Sequence, residues 1–182
     1  MPTGWLRRGR WAGRMLLGCV LLIGLLVAAC GGGDDDDSGG NGGDNPVPVV
    51  ANADEVYSAP ATSEELAGFE DVVEEGHTAA YASDMSVDEV VAFYQNNLPE
   101  GWQLEMTVPS GDMTFVMLHK DDMAATIIIA PGTTLQESTI FNEEELSKFN
   151  FDEIGENQTG IVVASFTCKT LTGSECAQAI LQ

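Results

Sequence analysis

The sequence predicts an α+β fold: an antiparallel β-meander with helices packed against it, preceded by a signal peptide and a disordered tether. Three observations carry the fold. Ser86-Val-Asp-Glu89 opens a capped amphipathic helix, Trp102 to Val108 alternates apolar and polar residues, and two more apolar runs follow across turn residues.

The chain begins with Arg7, Arg8, Arg10 and Arg14, followed by an uncharged run from Met15 to Ala29. A basic segment followed by an apolar one is the layout of an export signal. Fifteen residues at about 1.5 Å each span roughly 22 Å as a helix, short of the roughly 30 Å hydrocarbon core, so the run is expected to be cleaved rather than retained as a span. Val27-Ala28-Ala29-Cys30 follows at once. This tetrad resembles the lipobox of bacterial lipoproteins, in which the cysteine becomes the first residue and carries the lipid. The resemblance implies a diacylglyceryl group on Cys30 and palmitate-class acyl chains, and two acyl chains suffice for stable anchoring. The alternative is an ordinary cleaved signal with a free Cys30. Arg7-Arg8 does not make a twin-arginine signal, because Gly9 and Arg10 stand where that motif has apolar residues.

Gly31 to Pro48 has no apolar periodicity and buries nothing, so residues 30–52 are expected to be a disordered Gly/Asp-rich linker. Some twenty such residues reach roughly 25 Å root-mean-square. Asp34 to Asp37 invites a calcium reading, but a calcium loop needs ligands spaced along a defined turn, and this run serves better as a solubilising spacer.

All four arginines lie in the signal, which leaves Lys120, Lys148 and Lys169 against 29 acidic residues, a net charge of −26. Such a surface repels phosphate backbones and anionic headgroups, which excludes nucleic acid as a natural partner. A charged partner is expected to be cationic. A surface kept acidic for solubility alone needs no partner.

Residues 53–182 are long enough for one domain with its own core. In the helix from Ser86, Met85 and Val90 are placed as a hydrophobic staple. Val87, Val90, Val91, Tyr94 and Leu98 share one face, and Pro99-Glu-Gly101 stops the helix. Trp102, Leu104, Met106 and Val108 then alternate with polar residues as in a half-buried strand, and Pro109-Ser-Gly-Asp112 is turn chemistry. Met113 to Lys120 and Met123 to Ala130 read as two more strands about Asp121-Asp122, and Thr78 to Ala82 as a strand before the helix. The stretch from Tyr81 to Ala130, with Ser86 to Tyr94 and Leu-Pro-Glu-Gly-Trp102 at its centre, resembles small extracytoplasmic bacterial lipoproteins. That resemblance implies the α+β fold and brings no activity. Further on, Asn142 is placed to cap a helix over Glu143 to Phe149. Thr159 to Cys168 reads as a strand, and Ser174 as the cap of a last helix through Ile180.

The chain has no Gly-x-Ser-x-Gly elbow, His-Glu-x-x-His pair, Walker loop or Cys-x-x-Cys. His77, in Glu74-Glu-Gly-His77, and His119, beside Lys120 and two aspartates, are the histidines available to a metal or to acid–base chemistry. Two histidines among so many acids meet carboxylates by chance, so no metal, cofactor or catalytic residue is assigned. Cys168 and Cys176 are expected to form a disulfide, since export favours oxidation and Leu171 to Ser174 lets the chain double back; two reduced thiols are the alternative. The expectation is a non-enzymatic, lipid-anchored binding or interaction module on the extracytoplasmic side of the cell membrane. It would be held there by lipids on Cys30 and would have a cationic or protein partner in the envelope. An envelope hydrolase with His77, His119 and carboxylates in one cleft is the alternative.

Overall fold

A computed structural model describes residues 46–61, 66, 68–141 and 143–180. The expected signal over 1–29, Cys30, most of the expected linker and the Asn142 cap lie outside the described residues.

Among the described residues the strands are β1 (Asp54–Pro60), β2 (Val73–Ser83), β3 (Gln103–Ser110), β4 (Met113–Lys120), β5 (Met123–Pro131) and β6 (Thr159–Cys168). They form one antiparallel sheet in the order β1-β2-β6-β5-β4-β3. The run from β3 to β6 is a meander, and the β1–β2 hairpin docks on its free β6 edge. The helices are α1 (Val87–Asn96), α2 (Gly132–Gln136), α3 (Glu143–Lys148) and α4 (Gly173–Ile180), with a 3-10 turn at Phe151–Glu153. The fold is α+β.

Helix α1 forms where the sequence signals it. The Ser86 hydroxyl accepts from the Glu89 N–H, and the Glu89 carboxylate accepts from the Ser86 N–H at 2.9 Å, so two orphan donors are satisfied reciprocally. The hydroxyl and backbone of Ser86 hold the Glu89 carboxyl below its ordinary pKa. Gly101, at φ +90, turns the chain out of the helix exit, and a side chain there would strike the Lys120 stem.

Both faces of the sheet are covered. On the first, Val90 and Tyr94 of α1 pack fully buried against Val116, Leu118, Ile127, Ile129, Ile161 and Val163. Val47 and Val50 join this core, and the Tyr94 hydroxyl donates to the Pro48 carbonyl at 3.0 Å. Burial pushes the Tyr94 phenol well above its ordinary pKa. The linker expected over 30–52 is therefore shorter at its C-terminal end. Its last residues carry three valines, Val47, Val49 and Val50, and these gain more by packing on the core around Tyr94 than by staying in water.

The second face is covered in two parts. At one end Phe141 packs edge-on to Phe149 and Phe151, which stack on each other, with ring centroids 5.1–5.8 Å apart over Phe115, Ile128 and Val162. At the other end α4 lays Cys176, Ala177 and Ile180 on Met117, Ala124, Ala164 and Phe166. Cys168, at the end of β6, is bonded to Cys176, with their Cα atoms 6.0 Å apart. The bridge ties the helix to the strand that precedes it.

Two local expectations change. Trp102, Leu104, Met106 and Val108 do not share one face, because a bulge between Leu104 and Met106 re-registers β3 on β4. Leu104 pairs with Leu118 and Met106 with Met117, on opposite faces, and Leu104 is left 36 % exposed. Ser174 does not cap α4. Thr172 does, accepting from the Glu175 N–H while Glu175 accepts from the Thr172 N–H, and the Ser174 hydroxyl donates instead to Glu105. The threonine fits because Glu175 stands three residues on, the spacing of a capping box.

The core predicts two outcomes. Val90→Asp should cost more than about 3 kcal/mol or unfold the domain, since it buries an unpaired charge; denaturant unfolding checks this, and unchanged stability would mean that α1 does not face the core. Replacing Cys168 and Cys176 together by alanine should cost roughly 2–3 kcal/mol for the short loop closed. Intact-mass measurement of native protein should find both thiols oxidised, and two free thiols would contradict the bridge.

Candidate functional site

The site is built at the end of the β2–β6 seam that α1 does not reach. Pro60 ends β1, while β2 runs on upstream of His77, the residue Pro60 faces. Proline has no N–H to give the ladder, so at Pro60 the pairing lacks a donor from β1. One more bond follows in register: the Ala61 N–H donates to the Gly76 carbonyl at 2.8 Å, and a side chain on Gly76 would stand 2.9 Å from the Ala61 Cβ. Glycine is what allows that approach.

The result is a cavity of about 550 Å³, within the range that small-molecule sites occupy. Pro46, Pro60, Ala61 and Leu66 bound it on one side, Met123, Ser165, Phe166 and Thr167 on another, and Glu74, Glu75, Gly76 and His77 run along it. Its lining is about equally polar and apolar, and Glu74 and Glu75 on it are exposed.

His77 is the polar residue of this wall with the most constrained surroundings. Its Nε2 lies 3.3 Å from the Ser58 hydroxyl, and its carbonyl accepts from the Ser165 hydroxyl at 3.4 Å. Its Nδ1 is buried and has no hydrogen-bond partner among the described residues. Burial lowers the His77 pKa below its ordinary value, and the nearby Glu55 carboxylate only partly opposes this. Burial and the lack of an acceptor at Nδ1 both disfavour the protonated imidazole.

His119 lies elsewhere. Following the registers from His77 to Ser165, Ala125 and Leu118 crosses three strand steps, roughly 14 Å at about 4.8 Å each. His119 follows Leu118 and therefore points to the opposite face. There its Nε2 sits 3.4 Å from the Glu105 carboxylate, which also accepts from Ser174. The two histidines do not converge. Among the described residues no group of three or more His, Cys, Asp or Glu side chains is arranged to hold a metal. Nor is any described helix long and apolar enough to cross a membrane.

Of the residues singled out in the sequence, Cys168 and Cys176 lie together under α4, in the core cluster that also holds Leu66 and Phe166 of the cavity wall, and Cys30 is outside the described residues. Sequence reasoning placed His77 beside two glutamates and missed Pro60, Leu66, Met123 and Phe166, which the fold alone brings to it. Pro60 and the isolated Gly76 were the available signals, because each marks a place where strand pairing cannot be ordinary.

Compared with known families, residues 61–145 match the START domain-like family model. The match takes in β2, α1, the β3–β5 strands and α2, just under half of the chain, and stops before β6. It includes the β2 and Met123 walls of the cavity but not Ser165 to Thr167. The match suggests a ligand-binding module and is consistent with a binding role. No curated protein and no solved structure matches the chain significantly.

The state of His77 predicts a pH effect with a definite sign. A histidine whose folded pKa is depressed contributes stability that is present above its unfolded value, about 6.5, and lost as pH falls through the folded value. From about pH 7 to pH 5 the wild type should therefore lose more melting temperature than His77→Gln. Parallel curves for the two proteins would show that the imidazole titrates freely.

Proposed function

We propose that this protein is a lipid-anchored, extracytoplasmic binding module whose ligand sits in the cavity beside His77. The observation that carries the binding half is the cavity itself, of small-ligand size and lined by both apolar and polar residues, at the end of a seam in a domain with a START-like match. The anchoring half rests on the basic segment, the apolar run and Val27-Ala28-Ala29-Cys30. Pro46 is both the first described residue and part of the cavity wall. The binding site thus lies where the segment from Cys30 joins the domain.

The hydrolase alternative required His77, His119 and carboxylates in one cleft. Their separation to opposite faces leaves it without a supporting observation.

Two measurements test the proposal. Metabolic labelling with radioactive fatty acid should mark the wild type and leave Cys30→Ser unlabelled; equal labelling would refute the anchor. Hydrogen exchange on the purified protein, with and without an extract of its own envelope, should slow at residues 74–77 and 165–167. Protection spread evenly over the sheet, or none, would refute the site.

A further inference from the structure

We propose that His77 is an acid-sensitive latch on the end of β1: protonation of its ring releases residues 58–61 from β2 and opens the cavity wall that Pro60 and Ala61 form. As a means of releasing a ligand this rests on the binding reading above, but the latch itself needs no ligand.

The two parts of β1 are held differently. It is an edge strand, with β2 as its neighbour on one side. Its first part is anchored from the second face of the sheet, where the Asn150 amide donates to the Val56 carbonyl at 3.3 Å and the Tyr57 ring meets Phe149 edge-on at 5.1 Å. Beyond Tyr57 the anchoring changes. Pro60 brings no N–H, and among the described residues the hydrogen bonds that tie 58–61 outside the regular ladder are two: the Ala61 N–H to the Gly76 carbonyl, and the Ser58 hydroxyl with His77 Nε2 at 3.3 Å.

His77 stands opposite Pro60 in the ladder, so its ring closes the place where β1 gives least. A neutral ring fits there, because the Ser58 hydroxyl can donate to a bare Nε2 or accept from an Nε2–H. An imidazolium carries an N–H on both nitrogens, and the one on Nδ1 is enclosed without an acceptor among the described residues. The charged ring finds its second acceptor by swinging out to water, and that movement breaks the Ser58 contact.

The charged groups around the ring do not hold it in place. Glu55 of β1 attracts the imidazolium but is outweighed by burial. Glu74 and Glu75 follow on β2, Glu75 on the same face as His77, and both are exposed, so they act on the ring through water and attract it outward as readily as inward. Lys120 lies beyond Thr167 and Met123 in the row of Glu75. From β6, β5 and the segment before β1, the described cavity residues are Ser165, Phe166, Thr167, Met123 and Pro46, none of which titrates. Because burial depresses the folded pKa of His77, the closed arrangement is present in full above about 6.5, the value of the free ring. It is lost as pH falls from there toward the folded value.

The test is residue-resolved amide exchange on the ligand-free mature chain carrying Cys30→Ser, at about pH 7.5 and about pH 5, corrected for the intrinsic effect of pH on exchange. Protection of the Ala61 amide and its neighbours at 58–59 should fall about tenfold at the lower pH, while residues 56–57 and 161–164 change less than about twofold. In His77→Gln, which takes no proton at position 77, the fall should be absent. In the wild type, the His77 ring followed by NMR should titrate at the pH where exchange at 58–61 changes; a different midpoint would overturn the latch even if His77→Gln fails to fold.

A loss of protection spread evenly over the sheet would reduce the effect to general acid destabilisation. An equal loss in His77→Gln would assign it to another group. Either result, or no loss at 58–61, overturns the latch. The binding reading is judged separately, by protection from envelope extract at neutral pH.

Discussion

The pairing of β2 with β6 is the constraint on which the other features depend. It joins Val73 through Ser83 to Cys168 through Thr159, segments separated by the whole of α1, the meander and the phenylalanine cluster. Closing so long a loop costs entropy that local contacts cannot offset, so the seam forms only because both faces of the sheet are then buried. Ala79, Tyr81, Ile161 and Val163 face α1, while Ala80, Ala82, Val162 and Ala164 face the aromatic cluster and α4. The cavity lies at the seam's end, where β1 ends at Pro60 and α1 does not reach.

Coverage of the two faces follows different physics. The first is an ordinary amphipathic helix on a sheet, locked at its start by a capping box and closed at its end by Asn97, whose N–H donates to the Phe93 carbonyl. The second is assembled from short pieces that could not stand alone: α2, the 3-10 turn and α4 each have too few residues to be stable helices in water. They are held by side-chain hydrogen bonds and covalent links instead. Gln136 donates to the Phe151 and Ile154 carbonyls at 3.0 Å each, Asn150 donates to the Val56 carbonyl, and the disulfide clasps α4 to β6.

How much of this was legible in the sequence depends on how local each cause is. Helix α1, the β4–β5 pair and β6 were visible because caps, periodicity and turns lie within the segments themselves. The Leu104–Met106 bulge was not, since a single inserted residue leaves the alternating pattern intact while the pairing shifts. Strand β1 escaped because it is an edge strand, with exposed Asp54 and Glu55 and its own bulge beside Val56. Val47 and Val50 were hidden inside a stretch whose composition reads as linker. The two cysteines could be paired by elimination, whereas the cavity could not be anticipated, because Pro60, Phe166 and Met123 meet His77 only through strand order. His119 shows the converse: the chemistry that made it resemble His77 in sequence says nothing about the face it occupies.

The central claim is that the chamber at the end of the β2–β6 seam holds a small molecule in the working protein. Native mass spectrometry tests it most directly, on protein purified gently from its own cells, wild type against Thr167→Trp, which fills the cavity. The account predicts a small-molecule adduct on the wild type, non-covalent and lost on mild activation, and none on the filled variant. Identical masses for the two proteins after allowing for the substitution, or an adduct that persists in Thr167→Trp, would contradict it.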